Sequence, residues 1–290
     1  MATVYIQTVD DLENLVNGTL GTGTSSVPLE VELTNDIDFS ELDDSDERKW
    51  NFRYTGTPSV IYLRFDGGGH SIKNIAYSNI SNDWSLFYSI GGSISNLTLN
   101  DINIVAANSY GFTARLGAAI ILTNCHIRGV VAAASNAAGL SGYSGATGRL
   151  SVSRCSFSGN LTGNTVYGLA SGYGANASRS YVAGNLRTTG SSVYMLGSSN
   201  TRATNTFFRG QIYGSPTTLL FTGGSSNYCY VMIQNPTDLS GQYALWITSS
   251  TLCFYNNDEY DYGASSIAAS GTDKDNLQDA SWLRNQGWAI

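Results

Sequence analysis

Acidic side chains, which supply most acid-base chemistry on sugars, are unevenly placed along this sequence. No Asp or Glu occurs between Asp101 and Asp238. Hydrolysis of a glycosidic bond needs two carboxylic side chains flanking the bond, one as the acid and the other as the base or nucleophile. The middle of the chain therefore lacks the residues for that chemistry. A carboxylate site would have to lie near the acidic N-terminal segment or between subunits.

The acidic segment itself, DIDFSELDDSDE from residue 36 to residue 47, raises the question of a metal. Carboxylate oxygens suit Ca²⁺, which takes about six to eight oxygen ligands. The candidate ligands are Asp36, Asp38, Asp43 and Asp44. Their spacing does not match a calcium-binding loop, and an acidic loop in solvent is the alternative interpretation. Apart from this candidate Ca²⁺, the sequence predicts no cofactor and no metal.

Eight arginines and no lysine occupy the acid-free stretch. They are Arg115, Arg128, Arg149, Arg154, Arg179, Arg187, Arg202 and Arg209. Because Arg holds carboxylate and phosphate groups through paired hydrogen bonds, this basic belt can attract an acidic polysaccharide or a phosphate-bearing headgroup. The alternative is that these side chains contact the acidic ends of neighbouring copies of the repeat. The net charge of −7 disfavours nucleic acid as a partner. We expect Arg128, Arg154, Arg179 and Arg209 to bind the ligand.

Cysteine and histidine are few. The four cysteines contain no CxxC motif and no Cys/His cluster, so a zinc site is not indicated. Cys125 and Cys155, like Cys229 and Cys253, are one repeat apart, which suits either a disulfide or a column of small buried thiols, and we expect the thiols. His126 has no Ser or Cys nucleophile identifiable nearby, and we expect an ordinary surface residue.

A repeat running from about Ile94 to Tyr255 must position all these side chains. Its copies are ISNLTLND from Ile94, LTNCHIRG from Leu122, VSRCSFSG from Val152, ASRSYVAG from Ala177, ATNTFFRG from Ala203, SNYCYVM from Ser226 and STLCFYN from Ser250. One column through the copies holds small or apolar residues: Ile75, Leu97, Cys125, Cys155, Ser180, Thr206, Cys229 and Cys253. A period of roughly 20 to 50 residues indicates a solenoid.

Alternation of apolar and polar residues within each copy predicts a strand, and a second apolar segment before each copy predicts another. Stacked turns would then pair in parallel, about 4.8 Å apart. The sequence predicts an all-β, single-stranded right-handed parallel β-helix of about eight turns, forming one domain over 1–290. Residues 1–30 form an N-terminal cap with a helix, 31–257 form the turns, and 258–290 form a C-terminal loop and cap helix. Asn74, Asn96, Asn124 and Asn205 precede the column and predict an amide ladder at a bend.

The residue after the column points outward and becomes aromatic in the later copies. It reads Thr98, His126, Ser156, Tyr181, Phe207, Tyr230 and Phe254. Four aromatic rings on consecutive turns predict a stripe that binds another subunit or stacks on sugars, unless residues 255–270 fold over it. Another tyrosine set, Tyr110, Tyr167, Tyr194 and Tyr243, is assigned to the core or its corner.

The paired motifs resemble the GLUG repeats of bacterial surface and phage-associated β-helix proteins. The residues that carry the resemblance are the GLxGY-like strands at residues 139–143 and 168–173, and the strand ending in Gly at 124–129. The flanks at 4–18, 33–40, 65–75 and 275–290 are similar to that family's opening helix, first strand, glycine-rich entry and closing helix. The resemblance implies a parallel β-helix, and it transfers no catalytic residues.

An extracellular type of fold on a chain without a secretory signal at its N-terminus favours a particle released by cell lysis. We therefore expect a non-enzymatic structural and binding protein of a phage virion, such as a tail spike or fibre. Its partners would be a cell-surface polysaccharide or other virion subunits, with a homotrimer as the assembly. The alternatives are a module of a bacterial adhesin at the cell surface, and a polysaccharide lyase or hydrolase. No run of 18 apolar residues occurs, so we expect no membrane insertion.

Overall fold

Alternation of buried and outward side chains defines the strands. In the strand Ile61–Asp66, for example, Ile61, Leu63 and Phe65 are buried and the residues between them are not. The computed structural model is an all-β parallel β-solenoid of about 7 turns, which confirms the predicted fold class. It describes residues 3–55, 60–144, 149–171, 175–199, 201–214, 216, 218–223, 226–227, 229–233, 245–247, 250–251, 254–256 and 270–272.

The helices and strands follow in chain order. The helical segments are α1 (Val9–Val16), a 3-10 turn (Phe39–Glu41) and α2 (Arg48–Asn51). The strands are β1 (Val4–Ile6), β2 (Leu29–Leu33), β3 (Ile37–Asp38), β4 (Ile61–Asp66), β5 (Ser71–Lys73), β6 (Ala76–Asn79), β7 (Phe87–Ser95), β8 (Thr98–Ala106), β9 (Ser109–Tyr110), β10 (Thr113–Thr123), β11 (His126–Ala133), β12 (Asn136–Ala138), β13 (Ser141–Ser144), β14 (Leu150–Ser153), β15 (Ser156–Tyr167), β16 (Asn176–Ser178), β17 (Tyr181–Ser199), β18 (Arg202–Thr204), β19 (Phe207–Tyr213), β20 (Thr218–Gly223), β21 (Ser226–Asn227), β22 (Tyr230–Ile233), β23 (Leu245–Ile247), β24 (Ser250–Thr251), β25 (Phe254–Asn256) and β26 (Ser270–Thr272).

Successive turns pair in two parallel sheets. The first has the order β1-β2-β4-β7-β10-β14-β16-β18-β21-β24, and β13 also pairs with β10. The second has the order β26-β25-β22-β19-β17-β15-β11-β8-β5-β3, with β6, β9, β12, β20 and β23 as side branches. Each turn therefore contributes strands to both sheets, and the core lies between them.

The N-terminal helix covers one end of the coil, as predicted. Thr8 caps α1, because its hydroxyl accepts a hydrogen bond from the Asp11 backbone while the Asp11 carboxylate accepts one from the Thr8 N–H. Val9, Leu12 and Leu15 are buried against the core. The predicted C-terminal helix lies outside the described residues.

The predicted interior column is present from Leu97 onward. Leu97, Cys125, Cys155, Ser180, Thr206 and Cys229 are all fully buried, and Cys253 lies outside the described residues. The predicted first member, Ile75, is wrong. Ile75 lies beside Ile102 because Ala76 pairs with Asn103, and the partner of Leu97 is His70, since Ser71 pairs with Thr98.

The predicted asparagine bend is a row of left-handed residues. Asn96, Asn124 and Asn205 have φ values of 53°, 54° and 50°, which Asn tolerates better than most residues. The amide of Asn124 donates to Asn96 Oδ1 at 3.0 Å, and that of Asn96 donates to Asp66 Oδ1 at 3.0 Å. Asn74 is also left-handed but lies opposite Asp101, one bend further along the turn, so it does not belong to this ladder.

Candidate functional site

One bend of the middle turns separates two outward surfaces that carry the predicted site residues. We call its left-handed residues, Arg154, Arg179 and Asn205, the arginine bend. The aromatic face follows the bend on β15, β17 and β19. The serine groove precedes it on β14, β16 and β18. The interior column lies directly under the bend and fixes its position, since Cys155 and Ser180 follow the two arginines and are fully buried.

The aromatic face begins with a stacked pair of rings. The ring centroids of Tyr181 and Phe207 are 5.0 Å apart and the ring planes differ by 5°. The backbone register continues from Phe207 to Tyr230 and from Tyr230 to Phe254, as the predicted stripe requires. The side chains of Tyr230 and Phe254 lie outside the described part of the chain. Tyr181 and Phe207 are half-buried, so their rings line the surface.

Amide groups form a further outward row of the aromatic face, four residues after the ring position in each strand. Asn160, Asn185 and Gln211 pair across three successive rungs, and the Asn185 amide donates to Asn160 Oδ1 at 2.8 Å. The Tyr213 hydroxyl donates to Oε1 of the Gln211 side chain. The guanidinium of Arg187 lies 5.7 Å from the centre of the Tyr213 ring. The face thus combines flat rings with hydrogen-bonding groups in rows along the rod.

The four predicted arginines divide between two places. Arg128 and Arg209 lie in one row of the second sheet, in the register Arg128–Ser158–Ala183–Arg209, which is about 14 Å at the usual strand spacing. Arg154 and Arg179 lie on adjacent rungs of the arginine bend, with φ values of 56° and 50°. The sequence predicts the residues, but it does not reveal this division.

All eight arginines of the acid-free stretch are exposed. Every ion pair found in the described residues lies between Asp10 and Lys73, and none includes any of these arginines. The alternative expectation, contact with acidic ends of neighbouring copies, is therefore not seen in the described part of the middle turns.

The serine groove lies on the outer surface of the first sheet. It has a volume of about 370 Å³. Its polar lining consists of Ser151, Ser153, Asn176, Ser178, Arg202 and Thr204. The strand register places Ser151, Asn176 and Arg202 in one row. Arg154 and Arg179 follow this lining directly in the chain, after Ser153 and Ser178. The groove was not predicted, because its shape depends on how three short strands pack side by side.

His126 does have a hydroxyl partner, contrary to the sequence expectation. Its Nδ1 lies 2.8 Å from Ser156 Oγ, and its Nε2 lies 3.3 Å from Asn124 Oδ1. The signal was available, since Ser156 follows His126 in the outward column. Burial lowers the pKa of His126, and the charge of Arg128 lowers it further.

This Ser–His–Asn contact nevertheless lacks the other parts of a hydrolase site. Ser156 is only 2% exposed, so a substrate carbonyl has little access to its hydroxyl. Acyl transfer also needs N–H groups aimed at the developing oxyanion. The backbone N–H groups of Ser156 and Tyr181 are already bonded to the carbonyls of Cys125 and Cys155. We interpret the contact as a structural hydrogen bond between side chains on adjacent rungs.

Cys125 and Cys155 are buried thiols that form no disulfide, as expected. The Cys125 N–H donates to Cys155 Sγ at 3.3 Å, and the Cys155 N–H donates to Ser180 Oγ at 3.1 Å. The hydrogen bond to Cys155 and burial raise the pKa of Cys125, which keeps its thiol protonated. The pair Cys229 and Cys253 cannot be compared, because Cys253 lies outside the described residues.

The candidate calcium ligands bind protein groups. The Asp36 carboxylate accepts from the Lys73 ammonium and from the Ser71 N–H, the latter at 2.9 Å. Asp38 accepts from Ser40 and Asn74, and Asp44 pairs with Lys49 at 2.8 Å. Asp43 is exposed. Within the described ranges, no three His, Cys, Asp or Glu side chains form a group that could hold a metal ion. The calcium site stays a prediction that this geometry does not favour.

A second stacked pair lies elsewhere on the same turns. The ring centroids of Tyr167 and Tyr194 are 4.9 Å apart with planes 7° apart, and Tyr194 pairs with Tyr167 in register. Burial raises the pKa of Tyr110, in the same row, to about 12. These three tyrosines are only half-buried. The residues before Tyr167 and Tyr194, Val166 and Val193, are the fully buried ones, so these tyrosines are not core residues. Tyr243 lies outside the described residues.

Among the described residues, the structure contains no helix with the length and apolar character needed to cross a membrane. No protein-family model matches the sequence, and no curated protein sequence matches it either. The GLUG resemblance is therefore not shown, although the β-solenoid that it implies is.

Solved structures do share the fold. A proposed immunoglobulin A1 protease from Bacteroides ovatus matches with a TM-score of 0.51 and 16% identity, covering 97% of this chain and 86% of that one. A structure named IgA1 protease matches with a TM-score of 0.60 and 15% identity, covering 96% of this chain. This chain spans only 24% of the length of that second protein. At such low identity the likeness concerns the fold alone.

These similar structures correct the predicted function. Both are named as immunoglobulin A1 proteases, one of them from the bacterium Bacteroides ovatus, and neither name refers to phage. The prediction of a phage virion component is therefore wrong. The alternatives of an adhesin module and a polysaccharide-degrading enzyme gain no support from the same structures.

Proposed function

We propose that this chain is a carbohydrate-binding β-solenoid of a bacterial extracellular protein, and that an extended polysaccharide lies along its aromatic face. The observation that carries the proposal is the stacked pair Tyr181–Phe207, with ring centroids 5.0 Å apart on adjacent rungs. Flat rings stack on the apolar faces of sugar rings. A row of rings along the rod can therefore contact successive sugars of one polymer.

The groups beside the rings suit a sugar polymer as well. Asn160, Asn185 and Gln211 offer amide donors and acceptors on the rungs that carry the rings or adjoin them. Sugar hydroxyls both donate and accept hydrogen bonds, as side-chain amides do. Because the same kinds of group return on each rung, the face suits a repeating ligand better than a single small molecule.

The bacterial and extracellular parts of the proposal have separate support. The two solved structures reported above are named as immunoglobulin A1 proteases, and one of them is from the bacterium Bacteroides ovatus. The GLxGY-like segments at 139–143 and 168–173 resemble GLUG repeats of bacterial surface proteins, and we include that finer assignment in the proposal. In a longer protein, such a rod would hold a glycan near other domains and need no catalytic residue of its own. The predicted homotrimer remains an untested prediction.

The test is a double substitution, Tyr181→Ala with Phe207→Ala. Affinity electrophoresis through gels containing polysaccharides would measure binding, with neutral polymers such as hydroxyethylcellulose, xylan or mannan and an acidic one such as carboxymethylcellulose. We expect the intact protein to be retarded by at least one polymer and the double variant to bind at least tenfold more weakly. Tyr5→Ala removes an exposed ring at the other end of the rod and serves as the matched control.

Two results would contradict the proposal. One is that no polymer in the panel, neutral or acidic, retards the intact protein. The other is that the double variant binds as tightly as the intact protein while circular dichroism shows the same thermal unfolding for both. A variant that unfolds early would be replaced by Tyr181→Leu with Phe207→Leu, which keeps apolar volume and removes the flat rings.

A further inference from the structure

Three arginines of the acid-free stretch lie near one corner of the rod, two at the bend itself and one three residues before it. Arg154 and Arg179 occupy adjacent rungs of the arginine bend, and Arg202 lines the serine groove on the next rung. Neighbouring rungs of a parallel sheet are about 4.8 Å apart. All three side chains are exposed. The corner thus concentrates three positive charges within a short length of the rod.

The described residues show no contact by which arginine at this bend would stabilise the fold. Asn96, Asn124 and Asn205 take the same left-handed conformation in other turns, and Asn tolerates it better than Arg does. Like charges in directly paired positions repel each other. No ion pair in the described part of the chain involves Arg154, Arg179 or Arg202. The sequence has no Asp or Glu between 101 and 238 to neutralise them.

The lining of the serine groove suits an oxyanion. The hydroxyls of Ser151, Ser153 and Ser178 and the amide of Asn176 can donate hydrogen bonds, and Arg202 adds a planar fork of donors. No carboxylate lines the groove. A negatively charged group would therefore meet donors and positive charge at this surface.

The corner also adjoins the aromatic face. Arg179 precedes Tyr181 by two residues, so their Cα atoms are at most about 7 Å apart. Arg154 stands in the same relation to Ser156, one rung away. A polymer stacked on the rings would bring its charged substituents within reach of these guanidinium groups.

We propose that the arginine bend and the serine groove bind the carboxylate or sulfate groups of an acidic polysaccharide. This inference rests on the proposed function, because it names the class of polymer that the aromatic face holds. The rings contact the sugar backbone, and the corner selects chains that carry oxyanions.

The test compares polymers that share one backbone: hydroxyethylcellulose, carboxymethylcellulose and cellulose sulfate. The intact protein should bind at least one charged polymer tenfold or more tightly than the neutral one at low salt, and this preference should shrink as salt rises. Whether carboxymethylcellulose or cellulose sulfate is preferred identifies the oxyanion. The triple variant Arg154→Asn, Arg179→Asn and Arg202→Gln should keep any binding to the neutral polymer and lose the preference.

A second variant controls for the loss of charge alone. Arg53→Gln, Arg64→Gln and Arg115→Gln together remove three positive charges elsewhere on the rod, and they should leave the preference unchanged. Thermal unfolding without polymer gives a further readout. Arg154→Asn with Arg179→Asn should raise the unfolding temperature, whereas a purely structural role for the arginines predicts a fall.

The outcomes separate this inference from the proposed function. If Tyr181→Ala with Phe207→Ala abolishes binding to every polymer while the triple variant keeps the charge preference, the inference is overturned and the proposed function stands. If the ring variant still binds charged polymers and the triple variant does not, the corner binds anions and the aromatic-face proposal is wrong. Equal loss of preference in the control variant, or equally tight binding of single-stranded DNA, would also overturn the inference.

Discussion

The first turns and the middle turns of this solenoid treat charge in opposite ways. Between residues 10 and 73 six acidic side chains pair with basic ones, and Arg48 alone contacts Asp10, Glu13 and Asp46. In the middle turns eight arginines are exposed, and the sequence has no acidic residue from 102 to 237 that could pair with them. The first turns thus place charged side chains in ion pairs within the fold, while the arginines of the middle turns are exposed.

The comparison shows where stability and function lie in a repeat protein. Both regions share the same parallel ladders and one continuous apolar core, so the middle turns do not need ion pairs to fold. Stacking of each turn on its neighbours supplies that stability. Charged side chains that form no ion pair are therefore better candidates for ligand binding than those that do.

The largest expected effect tests whether backbone stacking holds the middle turns. Gly129, Gly159 and Gly184 form a row with φ between 136° and 144°. A Cβ added at Gly184 would lie 2.0 Å from the Gly159 carbonyl oxygen. We expect Gly184→Ala to lower the free energy of unfolding by about 3 kcal/mol or more, because the ladder must open to admit the methyl group. Urea unfolding followed by circular dichroism would measure it.

Gly69 in the first turns is the matched control. It is also left-handed, with φ 83°, but a Cβ there would meet nothing within 4 Å. Gly69→Ala should therefore cost about 1 kcal/mol, the strain of the conformation alone. Equal losses for the two variants would show that close stacking is not what distinguishes the middle turns.

The sequence predicts the parts of this fold that repeat and misses the parts that interrupt the repeat. The column from Leu97 to Thr206 is correct because buried positions admit only small or apolar side chains. The error at Ile75 arises because two different bends look alike in the sequence: Asn74 and Asn96 are both left-handed, and each is followed by a fully buried apolar residue. Asn74 lies opposite Asp101 and not opposite Asn96, and composition gives no sign of that register.

The sequence predicted individual residues of the candidate site, but not how they are arranged. The aromatic stripe could be predicted because its positions follow the column at a fixed offset, and Tyr181 and Phe207 do stack. The serine groove was missed because its shape depends on three short strands packed side by side. Which arginines share a corner depends on the bend, and the sequence indicates that bend only through its asparagines.

A smaller effect tests the ion pairs of the first turns. Arg48→Gln removes the guanidinium that joins α1 to the segment before α2, where it contacts Glu13 at 2.9 Å and Asp46 at 2.6 Å. We expect a loss of about 1 kcal/mol in the free energy of unfolding, since a network of partly buried ion pairs stabilises the fold more than a single exposed pair does. Arg128→Gln in the middle turns should change it by less than about 0.5 kcal/mol. A comparable loss at Arg128 would mean that the middle arginines also stabilise the fold.

The smallest effect is a dependence on pH that comes from a paired carboxylate of the first turns. The hydrogen bond from Lys73 lowers the pKa of Asp36 from its ordinary 3.8 to about 2, and the Ser71 N–H contributes. Since the folded chain binds this proton less readily than the unfolded chain, the stabilisation is complete above about pH 4 and is lost as the pH falls towards 2. Asp36→Asn should therefore cost about 0.5 kcal/mol at pH 6, because the pair is partly exposed. Urea unfolding of both proteins at pH 6 and near pH 2 would show this difference shrinking in acid, and a difference that stays constant would mean that the lost contact is not ionic.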